Sequence, residues 1–399
     1  MTRESTDILI SGGGPAGLAA AAAFGSAGFS VICVDPTPPV TDGDAEGADL
    51  RTTAFLHPSR AVLQAAGLWD RLEPHAAALQ VMRIVDAGGP VAEPRIVKDF
   101  DAADISDEPF GWNFPNWLLR REMVARLADL PTVSFRPGIA TTALFTREAE
   151  ARVTLSDGAT VTARLVVAAD GRNSTIRQAL DIGVHTLRYG QKALAFAVTH
   201  PIPHHNVSTE IHRSGGPFTL VPLPDRNGQP ASAIVWMETG PEVARLAALP
   251  ERDFEAEMNV RSCQILGPLK LATRRSVWPI ISQVADRMTG ERTALMAEAA
   301  HVVPPIGAQG LNMSLADLRV LLELAEADRA GLGGAKMLET YQRRRHLEVK
   351  ARVAGIDALN RASMMGGQTF RDLRAAALDT LYSVAPLRRT MMRAGLGVR

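Results

Sequence analysis

The chain has 399 residues, 46% hydrophobic and 22% charged, with 43 basic and 43 acidic side chains and a mean hydropathy of +0.01. That length accommodates two domains or one large one with an insertion, and the composition is that of an ordinary globular protein, which excludes disorder and low-complexity architectures. A zero net charge offers no global attraction for nucleic acid, Cys33 and Cys263 have no metal or disulfide spacing and suit a reducing cytosol, and the longest apolar stretch, Leu18 to Phe24, falls well short of the ~20 residues of a membrane span.

MTRESTDILI enters a strand at once, which predicts no signal peptide. Residues 7–35, DILISGGGPAGLAAAAAFGSAGFSVICVD, then read as strand, glycine turn, Ala-rich helix and second strand. Gly12, Gly14 and Gly17 allow a tight turn, a close phosphate approach and a helix packed near its strand. The helix N-terminus faces a pyrophosphate with free N–H groups and its positive dipole end. Asp35 stands about 20 residues on, where a carboxylate accepts from an adenosine ribose. NAD and FAD both fit this unit.

ARLVVAADGRNSTIRQAL, residues 163–180, is an apolar strand ending at Asp170-Gly171, then a turn and a helical run carrying Arg177. AEAAHVVPPIGAQGLNMSLAD, residues 297–317, follows apolar TALM as a strand, a loop set by Pro304, Pro305 and Gly307, and a helix.

In this order the three motifs resemble those of the single-component flavoprotein aromatic hydroxylases with the para-hydroxybenzoate hydroxylase fold, whose third motif reads GDAAHxxxPxxGQGxN. The resemblance implies FAD, with its ADP part on Gly12, Gly14, Gly17 and Asp35. Asp170 and Gly171, with Arg177 on the same side, would contact FAD and pyridine nucleotide. Glu298 would accept from ribityl hydroxyls, buried and paired by them. Gly307 and Gly310 would shape the loop against the flavin ring, Leu311 and Asn312 would open a helix toward its pyrimidine side, and Pro305 would lie beside the substrate ring. Two departures stand out: the family's Gly-Asp is Ala297-Glu298, and its NLGxxD carries Met313-Ser314 in the middle.

The match to one branch runs nearly end to end. ADLRTTAF, 48–55, resembles the segment that sets an arginine, here Arg51, over the FAD pyrophosphate, and FGWNFPNWLLRREMVARL, 110–127, the one whose amide, here Asn116, touches FAD. The alternating sheet pattern of 189–225 and the helical tail look like the ubiquinone-biosynthesis hydroxylases. The implied fold is α/β: a Rossmann-like FAD-binding domain from 1–75, 100–183 and 285–345, a substrate domain with a mixed, largely antiparallel sheet from 76–99 and 184–284, and a helical C-terminal tail, 346–399.

The implied activity is hydroxylation of a polyprenylated phenol on the way to ubiquinone, with oxygen delivered from a flavin C4a-hydroperoxide and electrons from NAD(P)H. Alternatives are a hydroxylase of a small soluble phenol, favoured by a charged pocket residue, an FAD-dependent polyprenyl reductase, and a scaffold flavoprotein of a biosynthetic complex. No catalytic base is assigned, since Tyr189, Tyr341 and Tyr382 are the only tyrosines and two fall in the C-terminal helices. His200, His204, His205 and His212 read as a loop or sheet edge, because the intervening prolines deny helical ligand spacing; no metal is expected. His301 reads as structural, and Trp112 and Trp117 as packing. Residues 341–399 hold twelve Lys or Arg against four Asp or Glu, a basic surface for an anionic bilayer or a partner protein, placing the chain in the cytoplasm or peripherally on the inner face of a membrane.

Overall fold

The computed structural model describes residues 3–213, 215–364 and 368–396; the parts of the expected tail at 365–367 and 397–399 lie outside the described residues. The opening motif forms the strand Arg3–Ser11, the helix Pro15–Ser26 and the strand Val31–Asp35. From Ala16 to Gly25 that helix is buried on every side, between the sheet and the helices Asn116–Ala128 and Gln309–Ala327. A helix apolar all round belongs inside, and alanine lets three neighbours approach it closely.

The strand Arg3–Ser11 is central to a parallel sheet ordered Thr293–Leu295, Thr160–Ala168, Arg3–Ser11, Val31–Asp35, Val133–Pro137. All three motifs leave its carboxyl edge: Gly12 after Ser11, Asp170 just past Ala168, and Ala297 just past Leu295. In open α/β sheets that edge is where ligands bind.

A second, mostly antiparallel sheet runs in the order His301–Val302, Ser276–Ala285, Val184–Thr199, Gln229–Thr239, Pro217–Arg226, Val207–His212, Val81–Asp86, Ile96–Asp101. One face packs Leu194, Phe196 and Trp236 against Phe254 and the helices Gly240–Ala248 and Glu251–Arg261. The opposite face carries a small cluster of Ala193, Met237 and Ile280, with Tyr189 and Val235. The third motif joins the two sheets, since the chain leaves the parallel sheet at Leu295 and pairs His301 with Val284 in the second.

Three boundaries shift from the sequence expectation. The strand Ile96–Asp101 belongs wholly to the second sheet, past the expected change at 99/100. Thr52–Leu56, Gly111–Pro115 and Ala77–Leu79 form a third small sheet. The expected start of the tail at 346 cuts through one helix, Ala335–Met364, whose buried face carries Tyr341, Arg345, Val349, Val353 and Ile356. Those positions recur every three or four residues, a core stripe obscured in the sequence by the adjacent arginines. The last helices, Gln368–Ser383 and Ala385–Leu396, lie on the edge of the second sheet through Arg95–Asp372 (2.7 Å), Lys98–Asp379 (2.7 Å) and Arg388–Asp104 (3.1 Å). Part of the tail's charge is therefore spent within the chain. No described helix is long and apolar enough to cross a membrane.

Candidate flavin site

The glycines of the first motif divide by what surrounds them. At Gly12 (φ +113°) a Cβ would meet Ala169 O at 2.3 Å, and at Gly17 it would meet Gly12 O at 1.9 Å, so both are demanded by the packing of turn on strand. At Gly14, the cap of the first helix, a Cβ would meet nothing within 4 Å. This open space before unpaired N–H groups is a cradle for an anion. Asp35 accepts from Gly13 N–H at 2.6 Å and Thr37 N–H at 2.8 Å, fixing its carboxylate at the rim.

Asp170, just past the strand of the second motif, is mostly buried. Its Oδ2 accepts from Ile176 N–H at 3.2 Å, while Oδ1 is buried without a partner. Burial pushes this carboxyl above its usual range despite Ser174 and the local N–H groups. A buried acceptor left open calls for a donor from a ligand. Gly171 takes φ +81° with open space beside it.

In the third motif Pro305, Gly307 and Gly310 are exposed between buried Pro304 and buried Asn312. The helix opens at Gln309, two residues earlier than expected. A Cβ on Gly310 would meet nothing within 4 Å, so a second helix start faces open space. Leu311 sits in that first turn, whose N–H groups have no acceptor in the helix itself.

Several expected contacts are made otherwise. Glu298 is not buried: its side chain is 49% exposed, 3.7 Å from Arg172. Arg51 forks onto Asp49 (2.8 and 2.7 Å) and lies 3.8 Å from the centroid of the Trp278 ring, which brings the dinucleotide side against the second sheet. Burial alone would raise the Asp49 carboxyl, but Arg51, Asn116 and Arg120 hold it below the ordinary range. Asn116 is committed inside the protein, donating to Asp49 at 3.1 Å and accepting from Thr53 at 2.8 Å; it braces the arginine rather than offering a free amide. Arg177 is buried, donating to Ala299 O (2.9 Å) and Arg172 O (2.8 Å), so it ties the second motif to the third. Asn312 likewise spans Ala54 O, Ala308 O, Leu56 N–H and Ser59 Oγ, and anchors the helix start. Trp112 packs edge-on to Trp69.

Sequence reasoning missed one network. Asp317, fully buried, accepts from His301 Nε2 (2.6 Å), Arg345 Nε (2.8 Å) and Ala297 N–H (3.3 Å). Burial alone would raise this carboxyl, yet His301 and Arg345 outweigh it and hold it low. Asp317 stood inside the motif, but nothing in the spacing pointed to Arg345. Arg352 then reaches Gln309 Oε1 at 2.8 Å, and Gln309 Nε2 donates to Gly307 O (2.8 Å) and to Gly395 O of the last helix (3.1 Å).

Two helix starts open onto free space, an unpaired buried carboxylate oxygen and an exposed Pro-Gly loop follow the carboxyl ends of one sheet's strands, and together they fit FAD. A sequence profile of the FAD binding domain family matches residues 5–355. The ubiquinone hydroxylase UbiL of Rhodospirillum rubrum is 34% identical over 98% of this chain and 89% of its own length. The 3-demethoxyubiquinol 3-hydroxylase of Escherichia coli K12 is 26% identical over the full length of both. Among solved structures, p-nitrophenol 4-monooxygenase PnpA from Pseudomonas putida superposes with a TM-score of 0.80 at 19% identity, covering both chains completely, a likeness of fold. The chain belongs to the FAD-binding-domain family of flavoprotein monooxygenases, in the branch that includes the ubiquinone hydroxylases.

Proposed function

We propose that the protein hydroxylates the aromatic ring of a polyprenylated phenol in ubiquinone biosynthesis, with NAD(P)H as reductant. The observation that carries this reading is the face of the second sheet bearing Ala193, Val235, Met237 and Ile280. Its alkyl surface suits a ring with an apolar substituent. By strand alternation Trp278 shares the face of Ile280, and Arg51 lies against Trp278, so the apolar face looks toward the dinucleotide side.

When bound, FAD supplies electron transfer from the nicotinamide and activation of molecular oxygen. The chain's own residues bind and orient. The cap at Gly14 and the Arg51 guanidinium offer positive potential to the pyrophosphate, and Asp170 Oδ1 offers an acceptor to a hydroxyl. The N–H groups at Gly310 and Leu311 would donate to the bound flavin, the exposed Pro305 loop would line its site, and the apolar sheet face would keep water from the substrate ring. A polyprenyl substrate also favours a membrane-side location, and the last helices expose Leu373, Val384, Leu387 and Met391 beside Arg389 and Arg393.

The test is the lipid-quinone profile of cells lacking the protein, complemented with wild type or Gly14→Asp. Because a Gly14 Cβ meets no protein atom, the variant should fold while its carboxylate repels the pyrophosphate. An under-hydroxylated prenyl phenol should accumulate and be cleared by wild type alone. Normal ubiquinone in the deletion would overturn the pathway, and rescue by a folded, FAD-free variant would leave a scaffold role.

A further inference from the structure

The strand Val184–Thr199 carries a register shift between Arg188 and Lys192, with Gly190 at φ +73°. This bulge turns Tyr189 and Gln191 together onto the long helix Ala335–Met364. Tyr189 OH donates to Asp357 Oδ1 at 2.7 Å, and Asn360 Nδ2 donates to Gln191 Oε1 at 3.0 Å. Gln191 Nε2 in turn donates to the Gly215 carbonyl at 2.5 Å.

That carbonyl can only accept, so it fixes which end of the Gln191 amide is NH2, and Gln191 then fixes Asn360. Asn360 Oδ1 is left as a pure acceptor without a partner, on a residue 0% exposed. An acceptor stranded in this way has lost its hydration with no hydrogen bond in return, and a ligand donor would recover that loss. It lies where the apolar face begins: Gln191 and Ala193 alternate along one strand face, and a Cβ on Gly216 would sit 2.8 Å from Met237 Cβ and 3.0 Å from Gln191 Nε2.

We propose that Asn360, oriented by Gln191 and Gly215, receives the hydrogen of a substrate ring hydroxyl and so selects a free phenol over its ether. The inference rests on the reading of the substrate as a phenol. It makes Asn360 a specificity residue and Gln191 a positioning one.

The experiment uses the FAD-loaded enzyme without oxygen and follows binding by the perturbation of flavin absorbance. The probes are a short-chain prenylated phenol, its O-methyl ether and the matching aniline. Wild type should bind phenol and aniline, both donors, about 10- to 100-fold more tightly than the ether. Asn360→Leu should hold all three about equally, with the ether bound as in wild type. Equal binding of phenol and ether by wild type would overturn the proposal with no variant needed, as would discrimination that survives in Asn360→Leu. If wild type with a normal flavin spectrum binds none of the three, the phenol reading itself fails.

Discussion

The chain builds an open helix start twice, at Gly14 and at Gly310, by different means. Around Gly14 the backbone is held locally: glycine occupies Gly12 at φ +113°, and Gly17 lets the turn lie on the helix. Around Gly310 glycine serves at Gly307 (φ +61°), but two alanines also take the left-handed region, Ala297 at φ +55° and Ala308 at φ +56°, and buried side chains from distant elements help hold the loop. Local geometry can be supplied either by a residue that tolerates it or by contacts that enforce it. The second way makes the loop depend on Asp317, His301 and Arg345.

Asp317→Asn should therefore have the largest effect. It leaves the Arg345 charge buried with only the partly exposed Glu348 for company, and breaking such a pair costs about 3–5 kcal/mol. Urea unfolding of the FAD-free protein measures this. Because Asp317 titrates below its unfolded-state value, its contribution is complete above about pH 4 and is lost as pH falls through the lower folded-state value. Wild type should lose stability across that acid window, and the variant should show a shallower slope. A loss under 1 kcal/mol would mean that the third motif stands without the network.

Gly17→Ala breaks the local design. A Cβ 1.9 Å from Gly12 O forces turn and helix apart, an overpacking cost of about 1–3 kcal/mol, and FAD affinity should fall with it. Gly14→Ala is the control: its Cβ meets nothing in the protein, so stability should stay nearly constant while fluorescence titration reports weaker FAD binding.

The same contrast explains what the sequence made legible. The first motif is readable because its reasons are local, glycine spacing between periodic elements, and the alternating run 189–225 announced the second sheet. Glu298, Asn116 and Arg177 were assigned by position in a motif, and position does not reveal whether a side chain faces a ligand or a carbonyl. Arg177 turned to Ala299 and Arg172, and Asn116 to Asp49, because a buried donor takes the nearest fixed acceptor. Arg345 was unreadable, being 28 residues from Asp317 in a run of arginines whose inward member only the fold selects.

The smallest expected effect is the sharpest probe of the comparison. An alanine held at positive φ forgoes about 1–2 kcal/mol, and replacing it with glycine gives back about 0.4–1 kcal/mol through the freer unfolded chain. Ala308→Gly should thus raise stability by about 0.5 kcal/mol, and Ala297→Gly by less in the wild-type background, since its methyl is also lost from the core. The two differ in their link to the network, since Asp317 accepts from Ala297 N–H and makes no such bond to Ala308. In the Asp317→Asn background the gain from Ala297→Gly should shrink while that from Ala308→Gly stays the same, because only Ala297 has lost the contact that enforced its backbone and can relax without glycine. A double-mutant cycle in urea reads that difference directly. An Ala297→Gly gain that is the same in both backgrounds would show that the strain at Ala297 is held by the loop's own prolines rather than by the buried carboxylate.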